Sequence, residues 1–182
     1  MIQQQEYIQL KAYSRQYGAV MGLLWVLSFA CFVGSVKAPM LSFAHNFSII
    51  LIPFAANTFV KMYRDGIVGG VISFRRAFAF SMFIFFYATL ILAIAQWAYF
   101  QYIDNGMLVG HTVKIINSPE YEELLKAYQI SKKEVTDSLQ QLAETRPIDF
   151  ALAFMWLNII AGMAISWVVA LFTRRSAVRN NK

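Results

Sequence analysis

The chain has 182 residues, 58% of them hydrophobic, and 16 Lys or Arg against 10 Asp or Glu for a net charge of +6. Its charges avoid four stretches, between Arg15 and Lys37 (21 residues), Lys37 and Lys61 (23), Arg76 and Asp104 (27), and Asp149 and Arg174 (24). An ordinary soluble domain is excluded, because a water-facing helix needs a polar face that none of these stretches supplies, and so is intrinsic disorder.

Each stretch reaches the roughly 20 residues that a helix needs to cross about 30 Å of hydrocarbon. A membrane β-barrel would show segments of about ten residues alternating in polarity, and the run from Ser81 to Ala95 shows none. The sequence therefore predicts an all-α membrane protein, a single four-helix transmembrane domain over 1–182. Its spans are predicted at about 17–36, 40–60, 77–102 and 150–172, with an amphipathic helical insertion outside the membrane at about 103–147.

The first span follows Lys11 and Arg15, as a signal peptide would. It is too long for one and lacks a small-residue cleavage site, so it reads as a retained helix. Gly18 and Gly22 form a G-x-x-x-G spacing, continued by Ala30 and Gly34. Such small residues let two helix backbones approach closely, which makes this stripe a candidate for association with a second copy or with another span. Gly34 to Pro39 reads as a tight turn.

The second span carries His45, Pro53 and Asn57. Polar groups inside hydrocarbon mark hydrogen bonds between helices or a solute path, and Pro53 is expected to kink or loosen the helix by freeing a carbonyl. Lys61, Arg64, Arg75 and Arg76 flank a loop containing Gly66, Gly69 and Gly70. A phosphate-cradling nucleotide loop would require G-x-x-x-x-G-K-[S/T] after a strand, and neither is present. The loop is better read as an interfacial turn, its basic residues placed to meet lipid headgroups together with Arg174 and Arg175.

At this loop the residues resemble a known family. Tyr63-Arg64-Asp65, Gly70-Val-Ile-Ser-Phe74 with Ala77-Phe78, and Tyr99-Phe100-Gln-Tyr-Ile-Asp104 are similar to motifs of the four-helix membrane proteins of Bacteroidota grouped as domain of unknown function 4199. The resemblance covers nearly the whole chain. It implies an inner-membrane location and a four-helix fold, and no activity. Family members often carry Pro after the Asp that ends the third helix; this chain has Asn105, so a different turn is expected.

The third span holds Gln96 and closes on Trp97, Tyr99, Phe100 and Tyr102, rings suited to a headgroup boundary. Beyond it, Asn117-Ser-Pro-Glu120 reads as a helix start, with Tyr121, Leu124, Leu125 and Tyr128 at helical spacing. Ser131-Lys-Lys-Glu134 is a capping-box pattern before Val135, Leu139 and Leu142. Two short amphipathic helices are expected here, as a cap on the outer headgroups or as a partner or ligand site. The last span carries Asn158 and a small-residue stripe at Gly162, Ser166 and Ala170 that could dock on the first.

Lys and Arg counts set the orientation. Lys11, Arg15, the four in the glycine loop and Arg174, Arg175, Arg179 and Lys182 fall on one side, against Glu6 and Asp65 alone. The other side balances six bases with eight acids between Asp104 and Asp149. Both termini are thus expected in the cytoplasm of a bacterial inner membrane, against anionic lipid, with nucleic acid excluded as a partner for lack of any reading motif.

Chemistry finds little to work with. His45 and His111 are the only histidines and Cys31 the only cysteine, too few for a conventional catalytic zinc site, and no nucleophile-elbow or metalloprotease pattern occurs. The expectation is a non-catalytic structural, accessory or interaction protein without cofactor, partnered by lipids and by a second copy or another membrane protein. The alternative is a transporter of a small solute or lipid, or a lipid-handling protein, using His45, Asn57 and Asn158.

Overall fold

The computed structural model describes residues 4–176, the side chains of 142 and 143 excepted. Arg179, Lys182 and the Leu142 side chain, used in the reading above, lie outside the described residues. Seven helices follow in chain order: α1 (Gln4–Gly34), α2 (Met40–Gly66), α3 (Phe74–Tyr102), α4 (Met107–Ile116), α5 (Pro119–Ala127), α6 (Lys132–Glu144) and α7 (Pro147–Thr173). Helices α1, α2, α3 and α7 are each long and apolar enough to cross a bilayer. Helices α2, α3 and α7 contain the last three predicted spans; α1 begins well before residue 17 and ends at Gly34, two residues short of the predicted 36.

Large apolar side chains such as Leu23, Phe43, Ile50, Ile94, Trp156 and Ile160 are exposed on all four long helices. A water-soluble monomer rarely shows apolar surface on that scale, whereas hydrocarbon chains cover it at no cost.

Helix α3 lies at the centre, packed against α1 on one side and α7 on the other. Missing side chains make both contacts possible. A Cβ on Gly18 would fall 2.7 Å from the Tyr87 Cβ, one on Gly22 2.9 Å from the Ile91 Cβ, and one on Gly162 2.7 Å from the Phe85 Cβ. The G-x-x-x-G pair is thus used within the chain, against α3. Gly34 abuts Leu41 across the turn and Ala30 is exposed. The stripe at Gly162 and Ser166 docks on α3, not on the first helix as expected, because α3 stands between α1 and α7.

The end where α1 begins and α7 finishes, here called basal, is tied across the chain. Ile72 and Arg175 form an isolated antiparallel bridge, with N–H to O distances of 3.1 and 3.0 Å, and Arg64 Nη1 donates to the Thr173 carbonyl at 2.9 Å. Arg64 thereby satisfies one of the carbonyls that a helix C-terminus leaves free. Gly69 and Gly70 supply φ values of +75° and +83°, which let the chain leave α2 and return, Gly70 N–H bonding to the Arg64 carbonyl at 2.8 Å. Ser73 then caps α3 by accepting from Arg76 N–H.

The opposite, distal end carries three short helices where two were expected. Pro119 and Ser131 start α5 and α6 as the sequence signals indicate. The added helix, α4, has neither a Ser/Thr/Asn cap nor a charged face and begins after Gly106 in the left-handed region, at φ +78°.

Candidate functional site

The two ends differ in what stands between α2 and α7. Arg64 of α2 bonds to the end of α7 at the base, and toward the distal end both helices line a cavity of about 610 Å³, within the range of small-molecule sites. Helix α1 supplies Trp25, Ser28 and two phenylalanines; α2 supplies His45, Ile49 and Ile52; α3 supplies Leu92 and Gln96. Helix α7 contributes Phe150, Phe154 and Asn158, while α4 and Leu139 of α6 close the distal mouth. At 1.5 Å per residue, Asn158 lies about 16 Å along α7 from Pro147, so the cavity reaches deep among the long helices.

Three of the five intramembrane candidates meet here: His45, Gln96 and Asn158. The His45 Nδ1 is 3.1 Å from the Ser28 carbonyl and 3.0 Å from its hydroxyl. Nδ1 accepts from that hydroxyl or donates to that carbonyl according to the tautomer of the ring. Asn158 donates to the Phe154 carbonyl of its own helix at 2.8 Å. Gln96 is only 6% exposed, and its Oε1 has no hydrogen-bond partner in the protein. Trp25 of α1 also lines the cavity. Its ring lies tilted against Phe85, centroids 5.9 Å apart, and its buried Nε1–H has no partner in the protein. Nothing in composition distinguishes such a tryptophan from one in a packed core.

The remaining candidates fall elsewhere. Pro53 sits inside α2 without ending it, and Asn57 is outside the cavity lining, its Oδ1 buried and without a partner. Of the six basic residues assigned to headgroups, Lys61, Arg75, Arg174 and Arg175 are exposed. Arg64 is turned inward to Asp65 and Thr173. Arg76 is turned inward too: it donates to the Tyr63 hydroxyl at 3.2 Å and pairs with Glu6 at 3.4 Å. Their side chains are each 13% exposed, so they hold the basal end together.

The distal mouth is positioned by the Tyr99–Asp104 motif. Asp104, 6% exposed, accepts from the Tyr99 hydroxyl at 2.9 Å and from the backbone N–H groups of Gly106 and Leu108 at 3.1 and 3.2 Å. A carboxylate at this place caps α4 and complements its N-terminal dipole. Asn105 adopts φ +45°, which proline, fixed near −65°, cannot; the turn therefore differs from one built on Pro.

Fold and cavity together define a class: an all-helical chain whose four apolar helices fit a membrane protein, with a chamber between them. The chain matches the model of the family described as Protein of unknown function (DUF4199) over residues 16–175, and it belongs to that family. The matched span includes the basal tie, the cavity-lining helices and the Asp104 cap. No curated protein and no solved structure matches the chain.

Proposed function

We propose that this is a multi-pass protein of a bacterial inner membrane, termini and basal loop in the cytoplasm, that holds an apolar small molecule in its distal chamber without catalysing a reaction. Lipid handling, the alternative in the sequence reading, thus becomes the preferred one. The observation that carries it is the cavity: a largely apolar lining, reaching from the distal mouth to Asn158, into which α1, α2, α3 and α7 each place a polar side chain. An accessory protein needs no such chamber, and the Gly18–Gly22 pair that favoured self-association is already occupied by α3. The basic residues on the basal side support the orientation through their preference for the cytoplasmic leaflet.

Gentle detergent purification followed by native mass spectrometry tests this. The wild type is expected to retain one class of apolar small molecule, and Ile49→Trp or Val109→Trp, which fill the chamber, to lose it. Bulk phospholipid alone, in equal amounts on all three proteins, would contradict it.

A further inference from the structure

A second hollow lies away from the chamber, on the surface between α1 and α3. Beside the close approach at Gly18 and Gly22 runs a shallow groove of about 470 Å³. Ala12 and Ala19 of α1 face Tyr87, Leu90 and Ile91 of α3 across it, and its polar side chains are Arg15 and Gln16. Arg15 is the last charged residue before 21 that carry none, so it stands where hydrocarbon begins. Ile91 is level with Gly22, seven residues further along α1, so the groove rises about 10 Å into hydrocarbon from Arg15.

The basal mouth of this groove is cationic and unneutralised. Lys11 and Arg15 lie four residues apart on one face of α1, both exposed, and like charges at that spacing repel. The Lys11 Nζ rests 4.8 Å from the Tyr7 ring centroid and 5.8 Å from that of Phe83, one turn before Tyr87 on α3. Neither cation has an ion pair or hydrogen bond among the described residues, and the one acid of α1, Glu6, pairs with Arg76. An anion at the mouth would relieve the repulsion. A second copy laid on this face by a twofold axis would worsen it, because it brings its own Lys11 and Arg15 to the same place. A fatty-acid carboxylate is too small, since the polar groups from Lys11 to Gln16 extend over about 7.5 Å of helix.

We propose that the groove between α1 and α3 holds an anionic phospholipid of the basal leaflet. Its phosphate accepts from the Arg15 guanidinium, whose planar fork matches phosphate oxygens, and Lys11 adds its charge from one turn below. The Gln16 amide donates to the glycerol esters, and one acyl chain lies along Ala19, Leu90 and Ile91. The inference rests on the membrane-spanning reading above and is independent of the distal chamber.

The test titrates the full chain in mild detergent with phosphatidylglycerol, or with phosphatidylcholine of the same chains, and counts bound lipid by native mass spectrometry. The first phosphatidylglycerol is expected to bind about fivefold more tightly than the first phosphatidylcholine. Arg15→Gln should weaken it by about tenfold, the value of a charge-assisted hydrogen bond. Ala19→Trp, or Leu90→Trp from the opposite wall, fills the groove without touching the charges and should weaken it too. Lys61→Gln, which removes an exposed basal cation outside the groove, should leave it unchanged. Unfolding of each variant at the wild-type temperature in lipid-free detergent separates lost binding from lost folding.

Equal losses in Arg15→Gln and Lys61→Gln, full affinity in both tryptophan variants, or oleate competing as well as phosphatidylglycerol would each overturn the site. The chain should also stay in membranes washed with alkaline carbonate. If it stays and the groove fails, this inference alone falls; if it washes out, the membrane-spanning reading falls with it.

Discussion

At the basal end the Tyr63 ring, fully buried, stacks on Phe80 at a centroid distance of 4.0 Å, with Arg76 donating to its hydroxyl. At the distal end the same four helices leave about 610 Å³ among them, with α4, capped by Asp104, and Leu139 of α6 at the mouth. The contrast lies in packing: at the base Arg64 joins α2 to the end of α7 and Ile72 pairs with Arg175, while toward the distal end the same helices line the chamber.

Disrupting the base should have the largest effect. Tyr63→Ala removes the stacked ring and the Arg76 acceptor together, and is expected to cost about 3–5 kcal/mol, as for other buried aromatic truncations. Thermal unfolding in detergent would show it, and a shift as small as that of a surface substitution would mean the base is not the anchor. Gly162→Val, which drives a side chain into Phe85, should cost about 1–3 kcal/mol by overpacking.

The distal end should respond locally. Asp104→Asn leaves the shape but loses the charge of the α4 cap, for a loss of about 1 kcal/mol. Hydrogen exchange should speed up over 106–112 and stay unchanged over 59–63. Gln96→Leu should move stability the other way, by up to about 1 kcal/mol, because it deletes a buried acceptor that the protein leaves unpaired. A destabilised Gln96→Leu would mean that Oε1 is satisfied in the folded chain.

The smallest effect concerns acid. Lys126, bonded to Glu122 and joined by Lys132, holds that carboxyl below the usual carboxylate range. A carboxylate whose folded value is depressed contributes stability that is present above its unfolded value and disappears as pH falls through the folded one. Exchange protection of α5 should therefore drop slightly on acidification below the ordinary glutamate range, and Glu122→Gln should remove that dependence. An equal drop in both proteins would assign it to another group.

The long helices were legible because hydrocarbon imposes one rule on every residue: no charges for about 20 positions. The α5 and α6 starts were legible because Pro119 and Ser131 act locally. Helix α4 was not, since its cap is Asp104, three residues before it, acting from the end of another helix. His45, Gln96 and Asn158 could be picked out as polar residues in apolar runs. Their convergence could not, because it depends on how the long helices pack above a base tied by Arg64 and Arg76, and charge counting assigns both arginines to lipid. The small-residue stripes revealed close approach without naming the partner: Gly18 and Gly162 both meet α3, whose own sequence carries no matching stripe signal.

The contrast between the ends can be measured directly by thiol reactivity. In a Cys31→Ser background, Asn158→Cys places a thiol on the chamber wall and Ser81→Cys places one in the close-packed core, where Ser81 is fully buried. A small uncharged maleimide applied to intact membranes should modify the Asn158→Cys protein readily and leave the Ser81→Cys protein untouched. Equal resistance of both thiols would contradict an accessible distal chamber, and equal reactivity would contradict the closed base.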